Sequence, residues 1–335
     1  MISFKRIDIN DMPWERLRDF NSASIFHTRY WIDLLTDFVG AEPVIAAVQS
    51  DGQTQGYFTG LITKKLGLKI LGSPFRGWNT DFMGFNLMPS VSYHEVLQAF
   101  PKFAFGELGC HFLMIVDINL KEDECKGLSY QVRKFTNFAL DLTKSEAELF
   151  ANMKGHSCRH SIRRAIKRGV VIEEATDPGF AQEYYTQYQE VMAKQSLATL
   201  YGLDFVRQMV AQLQPTGNLL LLRARNSEGV CIATSIDFVF NKVAVGWGAA
   251  SLRQYQSLNP NELMYWYEMK RVKGMGAEVF HLANTKEQFK KKFGAYDVQG
   301  FRLMKARKQV LFYPLFIALS INERVRLWKG RVLGW

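Results

Sequence analysis

At 335 residues the chain has room for two domains of about 150 residues each. Hydrophobic residues at 47% and charged residues at 22% are globular proportions, which exclude a disordered or low-complexity chain. A net charge of +10 favours anionic partners such as phosphates, nucleic acid or an acidic membrane face.

The first eight residues, Met1 to Asp8, lack the apolar core of a signal peptide, so the chain is expected to stay in the cytoplasm. Trp14 to Phe20 and Tyr30 to Val39 have helical periodicity. Val44 to Gln49 and Gly56 to Thr63 read as a hairpin through Ser50-Asp51-Gly52. A helix is predicted over Ser92 to Phe105 and a strand over His111 to Asn119. A strand ends at Asp141-Leu142-Thr143, and Ser145 with Glu148 forms a capping box. Lys154 to Arg168 then reads as a basic helix with no acid, steadied by an apolar stripe of Ile162, Ala165 and Ile166.

The second half predicts helices over Pro178 to Ala193 and Asp204 to Leu213. Strands follow over Asn218 to Arg225, Val230 to Phe240 and Lys242 to Gly248, with turn chemistry at Asn226-Ser227-Glu228-Gly229. A helix over Asn259 to Met275 and strands over Glu278 to Ala283 and Phe301 to Ala306 complete it. The order helix, helix, strands, helix, strand occurs twice, as in an old duplication or in two ordinary α/β halves. The expected domains are 1–150 and 151–309, followed by a helix and basic tail over 310–335.

The four cysteines, Cys110, Cys125, Cys158 and Cys231, contain no Cys-x-x-Cys pair, so no metal site is expected. Cys158 lies among His156, Arg159 and His160, yet reads as a bystander thiol on a basic helix. Neither Gly-x-Ser-x-Gly, His-Glu-x-x-His nor a Walker motif occurs, which removes the corresponding hydrolase, zinc-protease and P-loop readings.

Five stretches carry a family likeness: Phe26 to Trp31, Leu71 to Trp78, Arg159 to Val170, Asn259 to Glu262 and Phe289 to Gly294. In this order the chain resembles the Fem-like branch of the GNAT acyltransferases, from about residue 25 to about residue 308. That branch includes the aminoacyltransferases of peptidoglycan cross-bridges and proteins linked to exopolysaccharide synthesis. The resemblance implies an α/β (α+β) fold of two tandem GNAT-like domains with mixed sheets, the first on the acceptor side and the second on the donor side.

By the same resemblance, the helix starting at Asn259, with Asn261 and Glu262, cradles the donor, and the strand before it faces the reacting carbonyl. Asn259 suits an N-cap and Pro260 the first helical position, and a helix start attracts anions. Arg253, Lys290 and Lys292 are further donor-binding candidates. The segment Ser251 to Leu258 lacks the glycines usual before that helix in acetyl-CoA-binding GNAT enzymes, which leaves acyl-CoA and aminoacyl-tRNA both open as donor. Arg159, Arg163 and Arg164 either bind phosphate or form a solvated face paired with acids elsewhere. Ser73, Arg76 and Trp78 are implied on the acceptor side.

An amine acceptor must lose a proton, and Asp81, Asp237 and His281 are the candidate bases. The expected function is an N-acyltransferase or aminoacyltransferase of cell-envelope or exopolysaccharide biosynthesis. Its expected partners are a phosphate-bearing donor and a sugar or peptidoglycan-precursor acceptor, not DNA. The alternative is a non-catalytic GNAT-fold component of a polysaccharide-assembly system. The apolar run Val310 to Ile321, followed by Arg324, Arg326, Lys329 and Arg331 with Trp328 and Trp335, suits either a packed closing helix or attachment to an anionic inner-membrane face.

Overall fold

The computed structural model describes residues 1–65, 67–75, 77–282, 287–308, 310, 312 and 313. Two compact units divide the chain: Met1–Thr136 with the described residues from Gln299 on, and Asn137–Val298.

Unit 1 opens with strand β1 (Ile2–Ile7), 3-10 turns at Trp14–Asp19 and Ile25–His27, and helix α1 (Arg29–Val39). Strands β2 (Glu42–Ser50), β3 (Gln53–Lys65) and β4 (Leu68–Ser73) form an antiparallel meander. At the first turn Asp51 and Gly52 take φ of 52° and 79°, the left-handed pair whose twist matches that of a two-residue hairpin. Strand β5 (Gly84–Leu87) adds to β3, helix α2 (Tyr93–Pro101) crosses over, and β6 (Phe112–Asp117) runs parallel to β4. Phe58, Phe85, Phe100 and Phe103 centre the core between α2 and the strands.

The chain passes into unit 2 within strand β7 (Gln131–Asp141). Helices α3 (Glu146–Asn152) and α4 (His160–Lys167), strand β8 (Val171–Glu174), and helices α5 (Phe180–Lys194) and α6 (Leu203–Leu213) follow. The capping box is present: Ser145 Oγ accepts the Glu148 amide, and the Glu148 carboxylate accepts the Ser145 amide at 2.9 Å. Strands β9 (Leu219–Arg225), β10 (Cys231–Phe240) and β11 (Val243–Ser251) make the second meander. Helix α7 (Pro260–Gly274) crosses over to β12 (Val279–His281), parallel to β11. A short α8 (Glu287–Lys291) and β13 (Tyr296–Ala306) return the chain to unit 1.

Each unit therefore repeats one plan: a meander, a crossover helix and a parallel strand, closed by an antiparallel strand. The closing strand is β13 on β6 in unit 1 and β7 on β12 in unit 2. On one face of the unit 2 sheet, α4 and α7 cover Leu222, Val239, Ala244 and Phe280. On the other, α5 packs on β10 and β11, and Phe238 meets Trp247. The expected stripe on α4 is corrected. Cys158, Ile162 and Ala165, at i, i+4 and i+7, are buried, whereas Ile166 is 58% exposed, one residue and hence about 100° further round the helix. The tail expected at 310–335 lies outside the described residues except Val310, Phe312 and Tyr313. No helix among the described residues is long and apolar enough to cross a membrane.

Candidate active site

The site grows from the part of β11 that runs on past the described end of β12. The two strands pair over Val243–Val279, Ala244–Phe280 and Val245–His281, and there the described pairing stops. β11 continues to Ser251, still paired to β10 on its other edge. Between Ile236–Gly248 and Asp237–Gly246 the register slips, making Trp247 a β-bulge residue two positions past the last described pair with β12. Bulges bend a strand and re-aim its side chains, and they recur beside active sites. The Trp247 ring lies 5.1 Å from Tyr201 and 6.1 Å from Phe205. Tyr184, Tyr188 and Tyr201 stack behind it, with the Tyr184 and Tyr201 hydroxyls 2.7 Å apart. A strand edge of this kind offers alternating N–H and C=O groups to an extended ligand arm, and its amides can polarise a carbonyl laid beside it.

Helix α7 begins beyond the end of β11. Asn259 stands before it in the left-handed conformation, φ 59°, and its side chain does not cap the helix; it donates to Ser257 O at 3.2 Å. Asn261 Nδ2 donates to Ser251 Oγ at 3.2 Å, tying the helix start to the strand. Glu262 meets Lys292 at 2.6 Å, both side chains being largely shielded from solvent, and the Lys292 ammonium lies 4.1 Å from the Phe289 ring centroid. Lys154 N donates to Lys292 O at 2.9 Å, which draws the approach to α4 to the same place. Lys290 is buried, its ammonium 4.7 Å from the Phe138 ring centroid. Arg253 is exposed, and its amide donates to Glu190. The structure thus gathers Asn259, Asn261, Glu262 and Lys292. Burial pushes the Cys158 thiol up to about 12, so it is no thiolate nucleophile.

Of the three candidate bases, Asp81 is exposed in unit 1, and Asp237 and His281 lie on opposite faces of the unit 2 sheet. Asp237 on β10 is buried on the α7 face, where Ser235 Oγ donates to it at 3.5 Å. Glu268 on α7 is buried against it, with Oε1 lacking a hydrogen-bond partner. Burial, reinforced by the Glu268 charge, raises the Asp237 pKa well above the carboxylate range, and burial raises Glu268 as well. His281 on β12 is held neutral, its pKa lowered to about 4 by burial. Sequence reasoning missed Glu268 and Trp247. A signal for Glu268 was present: it occupies the buried register of Met264 and Val272 on an otherwise apolar helix face.

The loop after β4 belongs to unit 1. Ser73 Oγ donates to Thr59 O at 2.6 Å and accepts the Gly84 amide at 2.8 Å, so the fold itself uses that hydroxyl. Trp78 is buried beside Phe75, and Arg76 lies outside the described residues. Just before α4 Arg159 donates to Ala151 O at 3.2 Å, and on α4 Arg163 covers the Phe150 ring and Arg164 is exposed. Among the described residues none of the three forms an ion pair.

Residues 156–291 match the family model described as acetyltransferase (GNAT) domain. No curated protein sequence matches the chain. Among solved structures the chain is similar to FemX, with TM-score 0.71, 13% identity, and 94% of this chain and 99% of FemX covered. It is also similar to L-PGS from Bacillus licheniformis, with TM-score 0.55, 12% identity, and 91% and 99% covered. A third likeness is to a tandem GNAT protein from the clavulanic acid biosynthesis pathway, with TM-score 0.51, 12% identity, and 91% and 98% covered. Residues 156–291 thus match a GNAT domain, and the chain shares the two-unit fold of FemX and of a tandem GNAT protein.

Proposed function

We propose that the chain is an N-acyltransferase or aminoacyltransferase of bacterial cell-envelope or exopolysaccharide biosynthesis, and that it passes an activated acyl group directly to an amine. The observation that supports this reading is the stretch of β11 beyond its last pair with β12, bulged at Trp247, inside the GNAT-matching segment and tied to the start of α7 by Asn261. The donor's acyl arm lies along Gly246 to Ser251, where backbone amides stabilise the developing oxyanion. The amine attacks the carbonyl, the N–C bond forms as the bond to the leaving group breaks, and no covalent enzyme intermediate is needed. Likeness to FemX supports an envelope setting, and a sugar or peptidoglycan-precursor amine is the acceptor class.

The start of α7 favours an aminoacyl ester over acyl-CoA. A pyrophosphate seated there would meet the Glu262 carboxylate, already paired with Lys292, and no glycine opens the segment from Ser251 to Leu258. In this reading Lys292 steers the donor's phosphate, with Asn259, Asn261, Arg253 and Lys290 around the same end of the unit. The acceptor amine gives up its proton to a base, for which Asp81, Asp237 and His281 are the proposed set, Asp237 only in its ionised form because burial beside Glu268 favours its neutral carboxyl. Ser73, Arg76 and Trp78 are the proposed acceptor contacts. The test is mass spectrometry of transfer from a panel of aminoacyl-tRNAs and acyl-CoAs to amino-sugar and lysine-containing acceptors. A mass gain on an amine is expected, reduced at least about tenfold in Lys292→Ala, the loss of one charge-assisted contact. Absence of transfer and of donor binding across the panel would leave the non-catalytic reading standing.

A further inference from the structure

The outer face formed by α3, α4 and α7 carries charge that the reaction site does not use. His160, Arg163, Arg164 and Lys167, spaced i, i+3, i+4 and i+7, all point outward from α4, and Arg168 continues the line. Among the described residues Arg163, Arg164 and Lys167 form no ion pair, and Arg168 donates only to the Ser257 carbonyl, at 2.5 Å. Two neighbouring acids are engaged, Glu174 with Arg271 at 2.6 Å and Glu148 in the capping box of α3, while Glu146 at the start of α3 is exposed. At the margin of this stripe of cations, one turn from Arg163, Ile166 stands 58% exposed. Beside them Phe150 of α3 and Trp266 of α7 lie 5.2 Å apart, overlaid by Arg163 at 5.7 Å and Lys270 at 5.4 Å.

Like charges stacked at i, i+3 and i+4 destabilise a helix unless an anionic surface faces it. We propose that this α3–α4–α7 face docks on an anionic phospholipid bilayer, with Arg163, Arg164 and Lys167 against the headgroups and Ile166 inserted beside Arg163 at the margin of the face. The chemistry favours lipid over a polynucleotide. Single-stranded nucleic acid needs aromatic faces free for stacking, and here cations cover Phe150 and Trp266. An aliphatic side chain such as Ile166 gains nothing from a phosphate backbone, but it gains burial in the headgroup–acyl boundary. Indole and phenyl rings beside cations are likewise suited to that boundary.

Co-sedimentation of the full chain tests the proposal, using vesicles of phosphatidylcholine alone and of phosphatidylcholine with phosphatidylglycerol. Selective binding to the anionic vesicles at low salt is expected, weakening as salt rises. Each basic residue near such a surface contributes roughly fivefold, so Arg163→Glu/Arg164→Glu/Lys167→Glu should weaken partitioning by about 100-fold or more. Ile166→Ser leaves the charge unchanged and should weaken it severalfold through lost insertion alone. Thermal unfolding checks that these exposed substitutions keep the fold. Equal binding by the triple variant assigns attachment to another segment and overturns the proposal. So does binding of bulk tRNA through the same residues without vesicle binding. Vesicle binding requires no acyl transfer, and bulk tRNA carries no activated acyl group, so failure of vesicle binding leaves the acyltransferase reading, on which the proposal does not rest, intact.

Discussion

Glu268 is the residue whose chemistry departs most from its surroundings. It sits on α7 in a core of Met264, Met269, Val272 and Phe280, facing Asp237 through Ser235. Among the described residues no cation lies beside the pair, so neutral carboxyls are favoured in the folded state, and both pKa values rise above their unfolded values. The folded protein therefore binds more protons than the unfolded one. The pair's contribution to stability is full in acid, below the ordinary carboxylate pKa, and is lost as pH rises through the raised values. Glu268→Gln keeps the shape and removes the titration. Relative to the native chain the variant should gain stability as pH rises from about 4.5 toward 8, by on the order of 1–3 kcal/mol. Buried His27 and His281, both lowered to about 4, act in the opposite sense, costing stability as pH falls from 6.5 through 4. They are present in both proteins and cancel in the difference. Urea unfolding over a pH series checks this, and a pH-independent difference would mean that the pair does not titrate between those limits.

Among the elements, β11 was legible in the sequence as a strand but not as a bulged one. The meander β9–β11 and helix α7 follow from apolar periodicity, turn residues and Pro260, all of which are local signals. Strands β1, β5 and β8 are short, and β4 ends in Gly72-Ser73 just before Pro74, a run that reads as loop; pairing with distant strands makes them what they are. The Lys292–Glu262 and Asp237–Glu268 contacts join elements 30 or more residues apart, so their members could be named from sequence but not matched. The bulge has its own test. A Cβ on Gly248 would fall on the Tyr184 hydroxyl and 3.1 Å from its ring carbon Cζ. Tyr184 is buried and bonded to Tyr201, so it cannot yield cheaply. Gly248→Ala should destabilise by about 1–3 kcal/mol. Tyr184→Phe removes the obstructing oxygen, and the double variant should recover at least about 1 kcal/mol in a thermodynamic cycle. Strict additivity of the two changes would show that β11 does not need the glycine for that approach.

For the whole molecule the governing fact is an exchange of closing strands. The chain that has just built β6 supplies β7 to unit 2, and the chain that has just built β12 supplies β13 to unit 1. A proposed boundary near residue 150 follows the order of motifs, but unit 1 draws its last strand from residues beyond 298. In β13, Phe301 and Leu303 belong to the core of Phe58 and Phe100, and residues Phe301 to Ala306 pair along the length of β6. Without β13, β6 becomes an edge of buried, apolar sequence, Phe112-Leu113-Met114-Ile115-Val116, the kind of edge that pairs with other chains. A fragment of residues 1–150 should therefore lack a cooperative thermal transition and associate, as read by light scattering. Joining residues 296–313 to its C-terminus through a flexible linker should restore a cooperative transition and a monomer, because the missing strand supplies both the ladder and the two core side chains. If the short fragment alone melts cooperatively as a monomer, β13 is dispensable to unit 1, and the exchange is a feature of chain routing and not of stability.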